Sequence, residues 1–161
     1  MPDDKGSLIE GLKKDQEKMM VFMREMPENW WDRQVYSEGA AWSVRDIMTH
    51  INEAERSIPY LIRQVLEGGE GVPEDFDLNR YNESKVKKMA GLKNQELMEM
   101  FDKQRGETIL MVEGMSEAEL DHEGRHPFLG KTQARAMIRM MVIHTHRHRQ
   151  EIKRELEAAE V

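Results

Sequence analysis

Four stretches of the chain carry apolar residues at spacings of three and four, the period of an amphipathic α-helix. The pattern predicts a first helix that opens at Ser7 and stops before Pro27, and a second helix that opens at Ser43. Both serines are followed three residues later by an acidic residue, the spacing of a capping box. A third helix is predicted to begin near Asn94 and a fourth near Thr132. No segment shows the alternating pattern of a half-buried strand.

Each predicted helix carries its apolar residues on one face, which it must bury against a neighbour. Pro59 lies inside the second helix and is expected to kink it without ending it. Four such helices in a chain of 161 residues predict an all-α four-helix bundle that occupies residues 1–161 as a single domain. The predicted inward positions, helix by helix, are Leu8, Leu12, Met19, Met23 and Met26; Ile47, Ile51, Ala54, Ile58 and Val65; Leu97, Phe101, Gln104, Thr108, Met111 and Met115; and Ala134, Met137, Met141, His144, His148 and Ile152.

The charge balance disfavours a nucleic-acid partner. The chain has 24 Lys and Arg against 31 Asp and Glu, a formal net charge of -7, which repels a phosphate backbone. No run approaches the roughly 18 apolar residues that predict a membrane span. The amino terminus also lacks the basic and then apolar run of a signal peptide. We therefore expect a cytoplasmic protein that binds neither nucleic acid nor membrane.

The stretch HEGRH, residues 122 to 126, matches the H-E-x-x-H pattern of zinc proteases. Protease chemistry needs a helix that places both His side chains one turn apart on a buried face. Gly124 lies within the motif, Pro127 follows it directly, and the flanking residues show no helical periodicity. We therefore predict that His122 and His126 bind no metal and lie in a surface connection between the third and fourth helices.

A second histidine pair lies on the predicted fourth helix. His144 and His148 are four residues apart and continue its apolar stripe, so both are expected to face the interior. At this spacing two imidazoles can bind one ion, and they can equally be core histidines that bond to their neighbours. His146 lies about 200° around the helix from His144, so we expect it to face solvent or a partner, together with Arg147 and Arg149.

His50 is the candidate for a third ligand. It lies one turn after Asp46, at the edge of the stripe of the second helix, and is expected to point inward. Three His ligands from two helices would leave at least one coordination position open, as in catalytic sites. A structural site is usually closed by four protein ligands.

Three stretches of the sequence resemble the DinB/YfiT-like family. Residues 42–55, WSVRDIMTHINEAE, resemble its second-helix signature, and FDLNRYNE resembles its mid-chain loop. Residues 126–152, HPFLGKTQARAMIRMMVIHTHRHRQEI, resemble its fourth-helix signature. The resemblance implies a four-helix bundle that holds a divalent metal, zinc or nickel in many members, through His50, His144 and His148. It also implies a homodimer. Members of the family include transferases and isomerases that use a low-molecular-weight thiol such as bacillithiol or mycothiol, and metal-dependent hydrolases.

The leading functional hypothesis is a thiol-dependent S-transferase or isomerase that acts on a small electrophile. A thiol that coordinates a metal loses its proton near neutral pH, and because the chain has no Cys, that thiol must come from a cofactor. One alternative is a hydrolase that uses metal-bound water, whose pKa falls toward roughly 7. Another alternative is a non-catalytic, stress-related binding bundle with a structural metal. The sequence does not identify the substrate.

Overall fold

The structure, a computed structural model, describes residues 3–160, except for the side chains of 159 and 160. Helices and short antiparallel hairpins follow one another along this part of the chain. The helices are α1 Lys5–Glu25, α2 Val44–Leu66, α3 Leu78–Lys88, α4 Asn94–Glu113, α5 Glu117–Leu120 and α6 Ala134–Glu160. The strands are β1 Gln34–Ser37, β2 Ala40–Ser43, β3 Glu123–His126 and β4 Gly130–Gln133, and a 3-10 turn spans Glu28–Trp30.

The four long helices, α1, α2, α4 and α6, form a four-helix bundle, which confirms the predicted fold class. Both α1 and α2 pack against α4 and α6, so each long helix has two long neighbours. The predicted stripes are largely buried. On α4 the buried face differs from the prediction, because Arg105 and Val112 are buried while Gln104 and Met111 are only half-buried.

The helix ends show where the prediction was right and where it was wrong. The capping box of the second helix is confirmed, since the Ser43 hydroxyl accepts from the Asp46 amide at 3.0 Å and the Asp46 carboxylate accepts from the Ser43 amide at 3.1 Å. Helix α2 also continues through Pro59 as predicted. The first helix begins earlier than predicted because Asp4 caps it, accepting from the Ser7 amide at 2.8 Å. The fourth begins at Ala134, because the preceding residues pair in β4.

Two β-hairpins were missed by the sequence analysis. Their strands are four residues long, too short to show a clear alternation, and they pair in the registers Val35↔Trp42 and Arg125↔Lys131. Each hairpin leads directly into a bundle helix, β2 into α2 and β4 into α6. The second hairpin packs closely on α2, because a Cβ added at Gly124 would lie 2.4 Å from a methyl group of Val65. The hairpins therefore precede the two helices that carry the candidate ligands.

Arg105, on α4, is fully enclosed at the centre of the bundle, with 0% of its surface exposed. Its guanidinium donates to both carboxylate oxygens of Glu55 on α2, at 2.6 and 3.1 Å, and to Asp15 on α1 at 2.9 Å. Asp15 also accepts from Arg149 on α6 at 3.1 Å and from the Thr145 hydroxyl. Two cations and two carboxylates therefore balance one another in the core and join all four long helices.

Replacing Arg105 with Met should destabilise the bundle, because Glu55 would remain buried without its cation. We expect the free energy of unfolding to fall by about 3–5 kcal/mol, measured by urea unfolding followed by circular dichroism. The matched control is Lys103→Met on the same helix, where the lysine is exposed and forms no ion pair with the described residues. That control should change the free energy by less than about 0.5 kcal/mol. Equal effects of the two variants would contradict a stabilising role for the network.

Candidate metal centre

The structure brings His50, His144 and His148 together, as their sequence positions led us to expect. His50 on α2 and His148 on α6 are buried, and the side chain of His144 is 16% exposed. The Nε2 atoms of His50 and His144 are 3.0 Å apart, and those of His144 and His148 are 3.1 Å apart. Two ligands of one zinc ion lie at most about 4.2 Å from each other, since each bond is about 2.0–2.1 Å long. His144 Nε2 is therefore close enough to the nitrogens of His50 and of His148 to share an ion with each.

Glu38 is a fourth member of this cluster, and the sequence analysis missed it. One carboxylate oxygen lies 3.2 Å from His144 Nε2 and 3.0 Å from His148 Nε2, and the other lies 3.0 Å from His50 Nε2. All four ligand atoms lie within 4.8 Å of one another. The sequence signal available was Gly39, because a glycine suits the second position of a two-residue hairpin turn.

The backbone of Glu38 is strained in a way that directs its carboxylate. Its φ of 51° and the φ of 80° at Gly39 are the positive angles of a type I′ turn between β1 and β2. Asn, Asp and Gly are preferred at such positions, and a Glu there costs on the order of 1 kcal/mol. Strain of this kind is common at functional sites. The strained turn thereby brings the Glu38 carboxylate into contact with three imidazoles.

The electrostatics of the cluster favour a cation at its centre. Burial raises the pKa of Glu38, but the contacts from His144, His148 and His50 outweigh it and hold that pKa well below its usual range. Burial lowers the pKa of His144 to about 3, against the opposing effect of Glu38. At neutral pH an ionised carboxylate thus faces a neutral imidazole at His144, and these are the protonation states that metal binding requires.

The hydrogen bonding within the cluster also fits a metal. His144 Nε2 lies within 3.2 Å of a carboxylate oxygen and of the Nε2 atoms of His50 and His148. A neutral imidazole nitrogen carries at most one hydrogen, so it cannot satisfy three such contacts. One ion among the four ligand atoms would satisfy them together, and a set of imidazoles and a carboxylate suits zinc and similar divalent metals. The residues therefore fit a divalent cation.

Neighbouring side chains orient the imidazoles. The Ser37 hydroxyl, which is buried, lies 3.2 Å from His148 Nδ1, and a Glu151 oxygen lies 3.8 Å from the same nitrogen. The indole of Trp42 packs on the His50 ring, with the ring centroids 5.1 Å apart. Contacts to the nitrogen that does not face the cluster fix ring orientation and tautomer in metal sites. The first hairpin therefore supplies Glu38 and also supports two of the imidazoles.

A cavity of about 550 Å³ adjoins the cluster, and Glu38 and His144 form part of its wall. The cavity lies between α2, α3, α6 and the segments that precede α3 and follow β3. Most of its lining is apolar, including Ile58, Leu61 and Phe76. Its size is that of a site for a small organic molecule. The stretch FDLNRYNE, which resembles the mid-chain loop of the family, contributes to this wall, although α3 begins within it at Leu78.

The HEGRH stretch is not helical and lies outside the cluster. Its last four residues form β3, and His122 is exposed, as expected for a connection at the surface. The expected surface position was wrong for His126, which is 6% exposed. Its Nδ1 accepts from the amides of Phe128 and Leu129 at 3.0 and 3.1 Å and so holds the turn after β3.

The prediction of which α6 side chains face outward is partly correct. His146 and Arg147 are exposed, as expected. The expectation for Arg149 was wrong, because this side chain is buried and donates to Asp15 and to His146 Nδ1, at 3.1 and 3.2 Å. The hydrophobic periodicity of α6 could not reveal that Arg149 is buried, because its burial depends on a carboxylate from another helix.

Three histidines and a carboxylate meet within a helical bundle, beside a cavity. Together the fold and this cluster define a class of helical-bundle proteins with a candidate metal centre. Residues 12–152 match the DinB superfamily, and the chain belongs to this family. The predicted family assignment is thereby confirmed. No curated protein sequence gives a significant match. Within the described part of the chain, no helix combines the length and apolarity needed to cross a membrane.

Solved structures of low sequence identity share the fold. YfiT from Bacillus subtilis, a probable metal-dependent hydrolase, is 18% identical with a TM-score of 0.75, over 98% of this chain and 90% of its own. A mycothiol-dependent maleylpyruvate isomerase is 12% identical with a TM-score of 0.76; the match covers 92% of this chain but spans only 60% of the isomerase. The colibactin self-resistance protein ClbS, in complex with double-stranded DNA, is 13% identical with a TM-score of 0.78, over 98% of each chain.

Single Ala substitutions of the three histidines should release the metal. We expect His50→Ala, His144→Ala and His148→Ala to purify without stoichiometric zinc or nickel and to remain helical. The reason is that the apolar core of the bundle forms without an ion, unlike a zinc finger. Metal analysis and circular dichroism of each variant provide the measurements.

The controls are histidines outside the cluster. His146→Ala, and a double variant that combines His122→Ala with His126→Asn, should keep the ion. Glu38→Gln should weaken metal binding by about 10–100-fold if the carboxylate supports the site, since loss of a supporting group typically has an effect of this size. A metal-free His146 variant beside a metal-bound His144 variant would show that the assigned site is wrong.

His126 should make stability depend on pH. Burial lowers its pKa in the folded protein to about 4 from the ordinary 6.5, so the unfolded chain binds a proton in that window and the folded chain does not. The contribution of His126 to the free energy of unfolding is therefore full above pH 6.5. It decreases by about 3 kcal/mol as the pH falls toward 4. His126→Asn keeps an acceptor for the turn and cannot titrate. Urea unfolding of chelator-treated protein should show a correspondingly smaller pH dependence for this variant, and an unchanged one would contradict the assignment.

Proposed function

We propose that the protein is a divalent-metal-dependent enzyme that uses a low-molecular-weight thiol to modify or isomerise a small electrophile. One observation carries the proposal: three imidazoles and a carboxylate converge at the wall of an apolar cavity large enough for a small molecule. The similarity in fold to a mycothiol-dependent isomerase supports it. His50, His144 and His148 are the proposed ligands, with zinc or nickel as the proposed ion.

The division of tasks follows from the positions of the residues. His50, His144 and His148 would hold a divalent ion, which would supply acidity, because a thiol bound to such an ion loses its proton near neutral pH. The chain has no Cys of its own, so the thiol enters as a cofactor. Glu38 presents an ionised carboxylate beside the imidazoles and at the cavity wall, where it can hydrogen-bond the thiol and relay its proton. Because the pKa of Glu38 is low, the proton moves on to solvent and does not stay on the carboxylate. The apolar lining excludes water and positions the electrophile.

A hydrolase is the second candidate function. The same ligands would hold the ion, and Glu38 could act as general base toward a water molecule instead of a thiol. The similarity in fold to YfiT favours this candidate. Glu38 also supports the non-catalytic alternative, because a fourth protein ligand would close a tetrahedral site and make it structural. The cavity beside the cluster favours either catalytic function over the non-catalytic alternative, because a purely structural site does not need it.

Thiol consumption tests the proposal directly. Protein loaded with zinc or nickel is incubated with monochlorobimane or an activated alkene, and with bacillithiol, mycothiol, glutathione or cysteine in turn. We expect at least one thiol to be consumed about 100-fold faster than without protein, and His144→Ala, which removes a proposed ligand, to abolish this acceleration.

Two further experiments distinguish the candidate functions. Glu38→Gln should lower the rate by about 10²–10⁴-fold if the carboxylate moves the proton. Ester and amide substrates supplied without thiol report hydrolysis. If the protein hydrolyses these substrates and accelerates no thiol reaction, the hydrolase becomes the better proposal. If the protein shows neither thiol consumption nor hydrolysis, the non-catalytic bundle is favoured.

The proposals about partners rest on the family resemblance and on the net charge of the chain. We propose a homodimer, the commonest symmetric assembly of soluble proteins and the one that the family resemblance implies. We also propose that this chain does not bind nucleic acid, on the basis of its net charge of -7. ClbS has the same fold and was crystallised with double-stranded DNA, so the fold itself does not exclude such a partner. A small molecule in the cavity is the proposed substrate, and the cytoplasm is the proposed location.

A further inference from the structure

The wall of the cavity includes a buried histidine that the proposed metal chemistry does not use. His126 Nδ1 accepts two backbone N–H bonds, from Phe128 and Leu129. A nitrogen that accepts two hydrogen bonds carries no proton, so the neutral ring bears its hydrogen on Nε2. None of the described residues bonds to Nε2, and it is not one of the fully enclosed atoms that lack a partner. His126, which lines the cavity, thus has an N–H donor with no partner among the described residues.

Arg147 is another polar side chain of this wall, and its guanidinium has no hydrogen-bond or ion-pair partner among the described residues. It lies on α6, three residues after His144, and among the described residues that line the cavity it is the only Lys or Arg. Its guanidinium stacks over the ring of Phe128, with Cζ 5.7 Å from the ring centroid. No carboxylate of the described residues lies within ion-pair distance of it. Its charge is therefore available to an anion.

The two donors form one structural unit through Phe128. The Phe128 amide helps to fix the tautomer of His126, and the Phe128 ring supports the guanidinium of Arg147. The anionic groups of the cavity wall do not compete for these donors. Glu38 contacts three imidazoles, and both oxygens of Glu55 accept from Arg105. The cavity therefore combines an apolar body with a cationic donor and a neutral donor, the features that recognise a carboxylate.

We propose that the cavity binds a small organic carboxylate with an apolar body, whose carboxylate accepts hydrogen bonds from Arg147 and His126. The inference rests on the proposed function only in taking this cavity as the substrate site, and it names the class of substrate. The apolar body lies against side chains such as Ile58, Leu61 and Phe76, and the carboxylate lies toward the Phe128 end of the cavity.

The test compares an acid with its amide. Binding of 4-phenylbutyrate and of 4-phenylbutanamide is measured by NMR titration, up to about 10 mM, with chelator-treated and with zinc-loaded protein. The two probes share one apolar body and differ in charge. We expect the acid to bind at least about 10-fold more tightly than the amide in both forms of the protein, because charge-assisted bonds are about twice as strong as neutral ones.

Two variants separate the donors. Arg147→Gln should reduce the preference for the acid to less than about 2-fold and leave amide binding unchanged, since only the acid uses the positive charge. His126→Asn preserves the acceptor for the turn but removes the Nε2 donor, so it should weaken acid and amide alike by about 3–10-fold. The matched control is Arg154→Gln, which removes the same charge from an exposed position two turns further along the same face of α6.

The proposal is overturned if the wild-type protein binds the acid no better than the amide, or if neither probe binds. It is also overturned if Arg147→Gln and Arg154→Gln have equal effects, or if the acid binds only to zinc-loaded protein and independently of Arg147. Thiol turnover is measured separately from these affinities. An acid preference that depends on Arg147 in a protein without thiol turnover would support this inference while rejecting the proposed function.

Discussion

The buried guanidinium of Arg105 is the constraint on which the arrangement of the bundle depends. A charge without solvent is costly unless it is fully paired, and Arg105 meets this requirement only when Glu55 from α2 and Asp15 from α1 both reach it. Asp15 in turn accepts from Thr145 and Arg149 on α6. A shift of any of the four helices along its axis would break part of this network. Apolar stripes tolerate such shifts more readily, because Leu and Met contacts have no fixed direction.

The network also places the candidate ligands. Thr145 and Arg149 each directly follow one of the two α6 histidines, so the bonds that hold them to Asp15 set the rotation of α6. With that rotation fixed, His144 and His148 face α2 and meet His50. The charged core thus lies on one side of α6 and the imidazole cluster on another. The two polar sites of the bundle are linked through α2 and α6, because each of these helices contributes to both sites, although the sites share no residue.

The hairpins give the cavity its chemical character. The turn between β1 and β2 presents Glu38 to the imidazoles, and the turn after β3 presents His126 and Phe128 to the cavity. Both turns connect strands that lead directly into helices bearing histidines, so the turns and the ligands are held in one rigid arrangement. The bundle and its histidines define a member of the DinB superfamily. The turns add Glu38, His126 and Phe128 to the wall of the cavity beside the histidine cluster.

The sequence by itself determined the periodic features of this protein. Helical spacing predicted the four long helices, the capping box at Ser43, and the inward direction of His50, His144 and His148, because these depend on neighbours within one turn of the chain. The tertiary structure decided the rest. Glu38 contacts imidazoles more than 100 positions away, as well as His50, and the burial of Arg105 and Arg149 depends on carboxylates from other helices. Hydrogen bonds and ion pairs between distant segments leave no periodic signal, since they require only that two polar groups meet once the helices have packed.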